Sequence, residues 1–257
     1  MTQSIIQAVR EQKPLIHNLT NEVVMNFTAN GLLAFGGAPI MAKAEQEAKE
    51  MATAANGVLI NIGTTTLNEL SAMKLAGIAA NKKGIPVVLD PVGVAATTFR
   101  QEAVKHLLHE VQFTAIKGNA GEMAQLVEIP WKTKGVESIG DGNLEEIAVK
   151  VAKAYHTTAV VTGETDVIYS EGKIIHNTTG HVWLEKITGA GCLLGAILTA
   201  CLTTNHALEA KALAAVQFYG LAAEHAASQE YVLGPGSFLP AFIDALSKDL
   251  DQLKGVN

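Results

Sequence analysis

Apolar positions along the chain follow two periodicities. Four short runs, GVLINIG (57–63), IPVVLD (85–90), FTAIKGN (113–119) and TAVVTG (158–163), carry Val, Ile and Leu at consecutive rather than alternate positions, as strands covered on both faces do. Between the first three lie TLNELSAMKLAGIAANKKG and FRQEAVKHLLHEV, whose apolar spacing is helical. Two more helical patterns precede the fourth run, one after Asn119 and one from Asn143 to Tyr155. TDVIYSEGKIIHN (165–177) reads as a β-hairpin turning at Glu171-Gly172. The remainder predicts helices over 189–204, 207–228 and 238–254. Strand–helix alternation of this kind predicts an α/β fold, a mostly parallel central sheet with right-handed crossovers. With no repeat, low-complexity tract or linker, residues 1–257 read as a single domain.

The strands end in Asn61-Ile62-Gly63, Asp90-Pro91-Val92-Gly93, Lys117-Gly118-Asn119 and Thr162-Gly163-Glu164. Open α/β sheets bind ligands at the carboxyl ends of their strands. Those ends gather a carboxylate, a cation, hydroxyls and glycines, a set suited to a phosphate-bearing ligand and a metal. Any one of them alone is also an ordinary turn.

ITGAGC (187–192) leads directly into an apolar helical pattern. Glycines at a helix start leave backbone N–H groups open to an anion, and the helix dipole adds to the attraction. The alternative is that Gly189, Ala190 and Gly191 only let the helix pack closely on the sheet, and spacing alone leaves both open. The segment is neither a P-loop, since Cys192-Leu193 stands where Lys-Ser/Thr would be required, nor a dinucleotide fingerprint, which belongs after a first strand. Asn119-Ala120-Gly121-Glu122 fits an N-terminal capping box and equally a carboxylate near Mg²⁺, with Asp90 as its partner. Lys117 is solvated surface or a phosphate-holding point charge, and Thr162, one of the strand ends, could equally open a tight turn into the hairpin. Met41 reads as core and Asn21 as a helix N-cap unless a site claims them. His106 and His109 share a helix face without a third ligand and read as surface.

Composition narrows the partners. The 257 residues are 48% hydrophobic, enough for a core that removes roughly 70–75% of the unfolded surface from water. A net charge of −6 without a basic block disfavours nucleic acid and anionic membranes. MTQSIIQAVREQ does not read as a signal peptide, and the apolar stretch 189–202 is shorter than the about 20 residues a membrane span needs. Cys192 and Cys201, the only cysteines, point to opposite faces of one helix and cannot pair. A reducing cytoplasm is the expected compartment.

Taken in order, LTNEVVMNFTANGLLAFGGAPIMA, LINIGT, LDPVG, KGNAGE, VVTGETDVI, ITGAGC and GPGSF (234–238) resemble the hydroxyethylthiazole kinase family of the ribokinase-like superfamily, over nearly the whole chain. The resemblance implies a ribokinase-like three-layer sandwich with helices on both faces of the sheet. It implies transfer of the γ-phosphoryl of ATP to the primary alcohol of hydroxyethylthiazole, in thiamine salvage. By position, Cys192 stands where other members of the superfamily keep an aspartate base, and Gly189 would offer its amide near the substrate at the head of the anion hole formed with Ala190, Gly191 and Cys192. Met41 and Asn21 would line the thiazole pocket, Lys117 and Thr162 match nucleotide-binding positions, and Asp90 and Glu122 match Mg²⁺ carboxylates. A homotrimer with sites between subunits is implied too. The chain departs from the family's pattern at Lys117, where arginine is frequent, at Val94-Ala95 and at Gly121. Two other classes compete: a thiol enzyme with Cys192 as covalent nucleophile, and a non-catalytic nucleotide or thiazole sensor.

Overall fold

The computed structural model describes residues 1–131, 133–134, 137–138 and 143–255. Its main sheet is built from β1 (Leu15–Leu19), β2 (Ala38–Ile40), β3 (Gly57–Asn61), β4 (Val87–Asp90) and β5 (Ala115–Asn119), with β6 (Thr133–Lys134) and β7 (Glu137–Ser138) forming a separate ribbon. It is completed by β8 (Thr158–Thr162), β9 (Asp166–Ser170) and β10 (Lys173–Asn177), in the order β2-β1-β3-β4-β5-β8-β9-β10. From β2 to β8 the strands are parallel, and β9 and β10 close the edge as an antiparallel hairpin.

Helices cover both faces. One layer holds α1 (Thr2–Gln12), α2 (Met25–Phe35), and the later helices α8 to α11; the other holds α3 (Glu45–Ala54), α4 (Leu67–Lys83), α5 (Thr98–Glu110), α6 (Ala120–Leu126) and α7 (Leu144–Tyr155). The later helices are α8 (Ala190–Leu202), α9 (Leu208–Ala227), α10 (Pro235–Leu246) and α11 (Leu250–Leu253). Successive residues of one strand enter opposite cores: Leu59 of β3 packs under α8, whereas Val58 and Ile60 meet the α3–α7 side. That double burial is why the strand runs show no alternation. It is the expected three-layer α/β sandwich.

Within the first 56 residues lie β1, β2 and three helices, none of which the apolar pattern singled out. β1 reads LIHNL, and its His17 and Asn18 are buried polar residues that interrupt the run. The helix expected over 238–254 is two, because α10 ends at Leu246 and Asp249 caps a new short turn through Gln252. Both helical patterns before the fourth strand run are present, as α6 and α7. Among the described residues, no helix is long and apolar enough to cross a membrane.

The chain leaves β1 toward β2 on one side and later returns to β3 on the other. Such a reversal opens a crevice at the carboxyl ends of β1 and β3, where ligands bind in sheets of this type. The sequence-predicted site residues gather around that end.

Candidate active site

Four strand-end side chains and the start of α8 form one connected network. Asn21, two residues beyond β1, donates through Nδ2 to Asn61 Oδ1 at 3.0 Å and to Cys192 Sγ at 3.4 Å. Asn61, the last residue of β3, donates to Asp90 Oδ2 at 2.8 Å across the register that pairs the two residues. Asp90 Oδ1 lies 3.3 Å from Lys117 Nζ, and Lys117 donates to the Gly191 carbonyl at 2.9 Å. The ring therefore runs from the thiol across three strands and back to the same helix turn.

Nearly all of this is removed from water. Asp90 is 0% and Lys117 3% exposed, and two buried charges are tolerable only as a pair with further hydrogen bonds. Burial pushes the Asp90 carboxyl above the ordinary carboxylate range, against the opposing pull of Lys117 and Asn61. Burial would discharge Lys117, but Asp90, helped by Cys192 and Glu122, more than offsets it and keeps the ammonium charged. Lys117 is thus neither solvated surface nor a side chain extended into the cleft. It sits beneath the first turn of α8.

Gly189 caps α8 at φ 91°, in the left-handed region that favours glycine. Leu193 is the first residue of the turn to donate within it, to the Gly189 carbonyl at 2.9 Å, so the amides of Ala190, Gly191 and Cys192 have no intrahelical acceptor. Two of the glycines do different work. A Cβ at Gly189 would fall 2.5 Å from Val24 Cγ1, so that residue serves close packing as well as the turn, while at Gly191 the sole neighbour within 4 Å would be Lys117 Nζ at 3.3 Å. On the far side, Tyr219 of α9 donates to the Ala190 carbonyl at 2.6 Å and pins the turn. Burial holds the Tyr219 hydroxyl well above its usual range, so it remains a donor.

Cys192 is buried, free of any disulfide and, in this setting, a neutral thiol. Burial and the neighbouring Asp90 push it up to about 11, against the opposing influence of Lys117, Asn61 and Asn21. His181, the nearest histidine in sequence, packs on Trp183 and Phe238 and accepts from the Trp183 amide, so it is no base for this thiol. The second cysteine, Cys201, lies deep in α8 and is held protonated by burial.

Glu122 meets both expectations at once. Its Oε2 accepts from the Asn119 amide at 2.9 Å while Asn119 Oδ1 accepts from the Glu122 amide at 2.9 Å, completing the capping box. Its Oε1 accepts from the Gly93 amide at 2.9 Å, which draws the DPVG loop over the site. Burial, then Asp90, raises its carboxyl. Asp90 and Glu122 could hold Mg²⁺: Asp90 Oδ1 is buried and engaged only by the long ion pair to Lys117 at 3.3 Å. Among the described residues, no group of three or more His, Cys, Asp or Glu is arranged to hold a metal.

Thr162 ends β8 in register with Asn119 and is half-buried; the next amide, Gly163, donates to Asp166 Oδ1 at 3.1 Å, so the tight turn is real. Asn21 is not the N-cap of α2, which starts at Met25 with Val24 before it; its side chain is committed to the network instead. Met41, just beyond β2, is half-buried rather than core and contributes nothing to the polar ring. His106 and His109 are exposed on α5, as expected.

Three residues escaped the sequence reading. Asn61 bridges Asn21 to Asp90, and its signal was a polar residue ending an otherwise apolar strand. Tyr219 is hidden inside a long apolar helix pattern. Arg100 of α5 ties two strand-end loops together, donating to the Gly63 carbonyl and to the Val92 carbonyl; nothing in its local sequence marks it.

Comparison with known proteins finds relatives over nearly the whole chain. The model of the hydroxyethylthiazole kinase family matches residues 6–252. The chain is 61% identical over 248 residues to hydroxyethylthiazole kinase 1 of Oceanobacillus iheyensis, covering 96% of each. Among solved structures, the hydroxyethylthiazole kinase protein of Pyrococcus horikoshii superposes with a TM-score of 0.89 at 36% identity, over 100% of this chain and 96% of that one. A ribokinase-like superfamily protein of Enterococcus faecalis shares the fold alone, at 14% identity and a TM-score of 0.65 over 96% and 94% of the two chains.

Proposed function

The chain belongs to the hydroxyethylthiazole kinase family, and from that membership we propose that it transfers the γ-phosphoryl group of ATP to the primary alcohol of hydroxyethylthiazole, a step of thiamine salvage. The observation that carries the reading at the level of the site is the ring from Cys192 through Asn21, Asn61, Asp90 and Lys117 to Gly191. It joins an acceptor-side thiol to an anion hole over a buried cation.

Phosphoryl transfer to an alcohol needs alignment and charge stabilisation more than strong base chemistry. The amides of Gly189, Ala190, Gly191 and Cys192 form the anion hole for the transferring group, with the dipole of α8 behind them. Lys117 acts from beneath, fixing the Gly191 carbonyl and adding positive potential; with Thr162 on the adjoining strand end it marks the nucleotide side. Asn21 and Met41 line the thiazole side, and Gly189 presents its amide to the acceptor. Asp90 and Glu122 would hold Mg²⁺, which would supply positive charge to the phosphates of the nucleotide.

A thiol at about 11 is almost wholly protonated at neutral pH, so Cys192 works as a neutral group that positions the substrate hydroxyl. The acceptor hydroxyl gives up its proton late, to an oxygen of the phosphoryl group it has attacked, as the bond from that group to ADP breaks. Substitution of Cys192 by Asp is expected to preserve or raise turnover. Burial and Asp90 lift a carboxylate at this point, but Lys117 opposes them, and it starts far below a thiol. Steady-state kinetics of Cys192→Asp and Cys192→Ala read this out; complete loss of turnover in both, with folding and ATP binding intact, refutes it.

The homotrimer belongs to the same proposal. Val23 and Leu33, both following Asn21 in the chain, are 68% and 57% exposed, apolar side chains that sites shared between subunits would cover. Light scattering should return three times 27.0 kDa, and Leu33→Glu should shift the mass toward the monomer and raise the alcohol KM. Two free cysteines are in keeping with a cytoplasmic setting.

The test of function is to incubate the purified protein with Mg·ATP and hydroxyethylthiazole and detect the phosphorylated thiazole by mass. Product that requires both Mg²⁺ and the alcohol supports the reading. ATP binding without product would favour a sensor, and labelling of Cys192 by a thiol-reactive analogue without ATP would favour the covalent route.

A further inference from the structure

The segment Met41-Ala42-Lys43, between β2 and α3, is gripped from two sides. From the sheet, His17 of β1 lies with Nε2 2.8 Å from the Ala42 carbonyl, and burial keeps its imidazole below its usual range, so that it serves as a neutral donor. From the solvent side, Lys43 Nζ reaches Glu22 Oε1 at 3.1 Å and Glu69 Oε1 at 2.5 Å. Each of these partners is itself anchored. Glu22 follows Asn21, and its amide donates to Thr64 Oγ1 at 3.2 Å in the loop after β3. Glu69 accepts through Oε2 from the amide and hydroxyl of Thr66 at 2.8 and 3.0 Å, the cap of α4.

Lys43 thus joins the loops following β1 and β2 to the first turn of α4, at the end of the loop following β3. Only 19% of its side chain and 16% of that of Glu69 remain exposed, against 75% for Glu22. The Glu69 contact is therefore the less screened, geometrically fixed one, and Glu22 adds a looser tether. Two of the three loops carry Asn21 and Met41, while none carries a residue of the nucleotide side.

We propose that Lys43 is a positioning residue for the acceptor: by tying the Met41 loop to the Asn21 loop and to the cap of α4, it sets the affinity for the alcohol without touching the transferring group. The proposal rests on the reading that Asn21 and Met41 line the acceptor site, and the experiment separates the two.

Kinetics of Lys43→Gln and Lys43→Arg are measured with alcohol and ATP varied independently. Lys43→Gln should raise the KM for the alcohol on the order of tenfold, as expected for losing one well-placed interaction. Its KM for ATP should stay within about twofold and its kcat should change less than the alcohol KM. Lys43→Arg, which keeps the charge and can reach both carboxylates, should restore most of the loss. An unchanged alcohol KM in Lys43→Gln, or an equal rise in both KM values, overturns the proposal, since general loosening of the fold would not favour one substrate. If Lys43→Gln does not fold, Glu69→Gln replaces it, retaining a carbonyl acceptor for Thr66 while withdrawing the carboxylate from Lys43. Met41→Ala and Asn21→Ala serve as references. A raised alcohol KM in these with none in Lys43→Gln sinks the clamp alone; unchanged values in all of them sink the acceptor-site reading and the clamp with it.

Discussion

Lys117→Met is expected to cost about 3–5 kcal/mol of folding stability, the usual result of stranding one member of a buried ion pair. The methionine fills similar volume, so packing is spared and the loss is electrostatic. What remains is Asp90, fully buried, with one oxygen held by Asn61 and its counter-charge gone. Lys117 is the main influence lowering the Asp90 carboxyl; without it that carboxyl moves further above its unfolded value. The sign then follows. A raised carboxyl makes the folded state bind its proton more tightly than the unfolded state does, so stability is retained at acid pH and falls as pH rises through the folded value. The deficit of Lys117→Met should therefore be smaller near about pH 5 than near about pH 8. Adding Asp90→Asn should recover most of the stability, because no lone charge is left, while removing a carboxylate of the proposed Mg²⁺ site and, on that proposal, activity. Urea denaturation of wild type, single and double variants at both pH values checks all three statements. A single variant as stable as the wild type would mean that the pair is not buried in solution.

Gly189→Ala should lower kcat by roughly 10²–10³, the usual cost of misplacing an oxyanion-type donor. The added Cβ would sit 2.5 Å from Val24 Cγ1 and 2.9 Å from Val24 Cβ, and the backbone is held at φ 91°. A side chain there adds strain of about 1–3 kcal/mol. The turn can relieve that only by shifting the Ala190, Gly191 and Cys192 amides. Gly191→Ala provides the contrast. Its nearest atom would be Lys117 Nζ at 3.3 Å, with no positive φ to strain, so stability should suffer less there than at Gly189. Turnover and melting temperature measured together separate the two: lost activity with a modest melting shift is the expected pattern for Gly189→Ala.

The sequence made the central strands legible because β3, β4, β5 and β8 are buried on both faces and read as continuous apolar runs. It hid β1 for the opposite reason: His17 and Asn18 are polar yet 0% exposed, since one supports the Ala42 carbonyl and the other bonds the backbone of Ile16. The site was legible as a set of strand ends but not as a network. Asp90, Lys117 and Glu122 declared themselves by charge at strand ends and at a cap. Asn21 and Met41 were named only through family resemblance. Tyr219 could not be found, because its one polar act is to reach a carbonyl 29 positions away in the chain, and no local pattern encodes that. The same holds for Lys43, whose partners lie 21 and 26 residues off. Side chains that act through tertiary contacts leave no periodic trace.

The central claim is that transfer relies on the anion hole and on a thiol that stays protonated. It is tested most directly by single-turnover transfer to hydroxyethylthiazole with wild type and Cys192→Ala, from about pH 6 to about pH 9, bracketing the working range of a general base. Parallel profiles, with the alanine variant within about tenfold of wild type, are predicted, because general-base catalysis would contribute about 10²–10⁴-fold if it were present. A wild-type rate that climbs about tenfold per pH unit, over a Cys192→Ala variant slower by about 10²–10⁴ and flat, would make the thiolate the base and contradict the account.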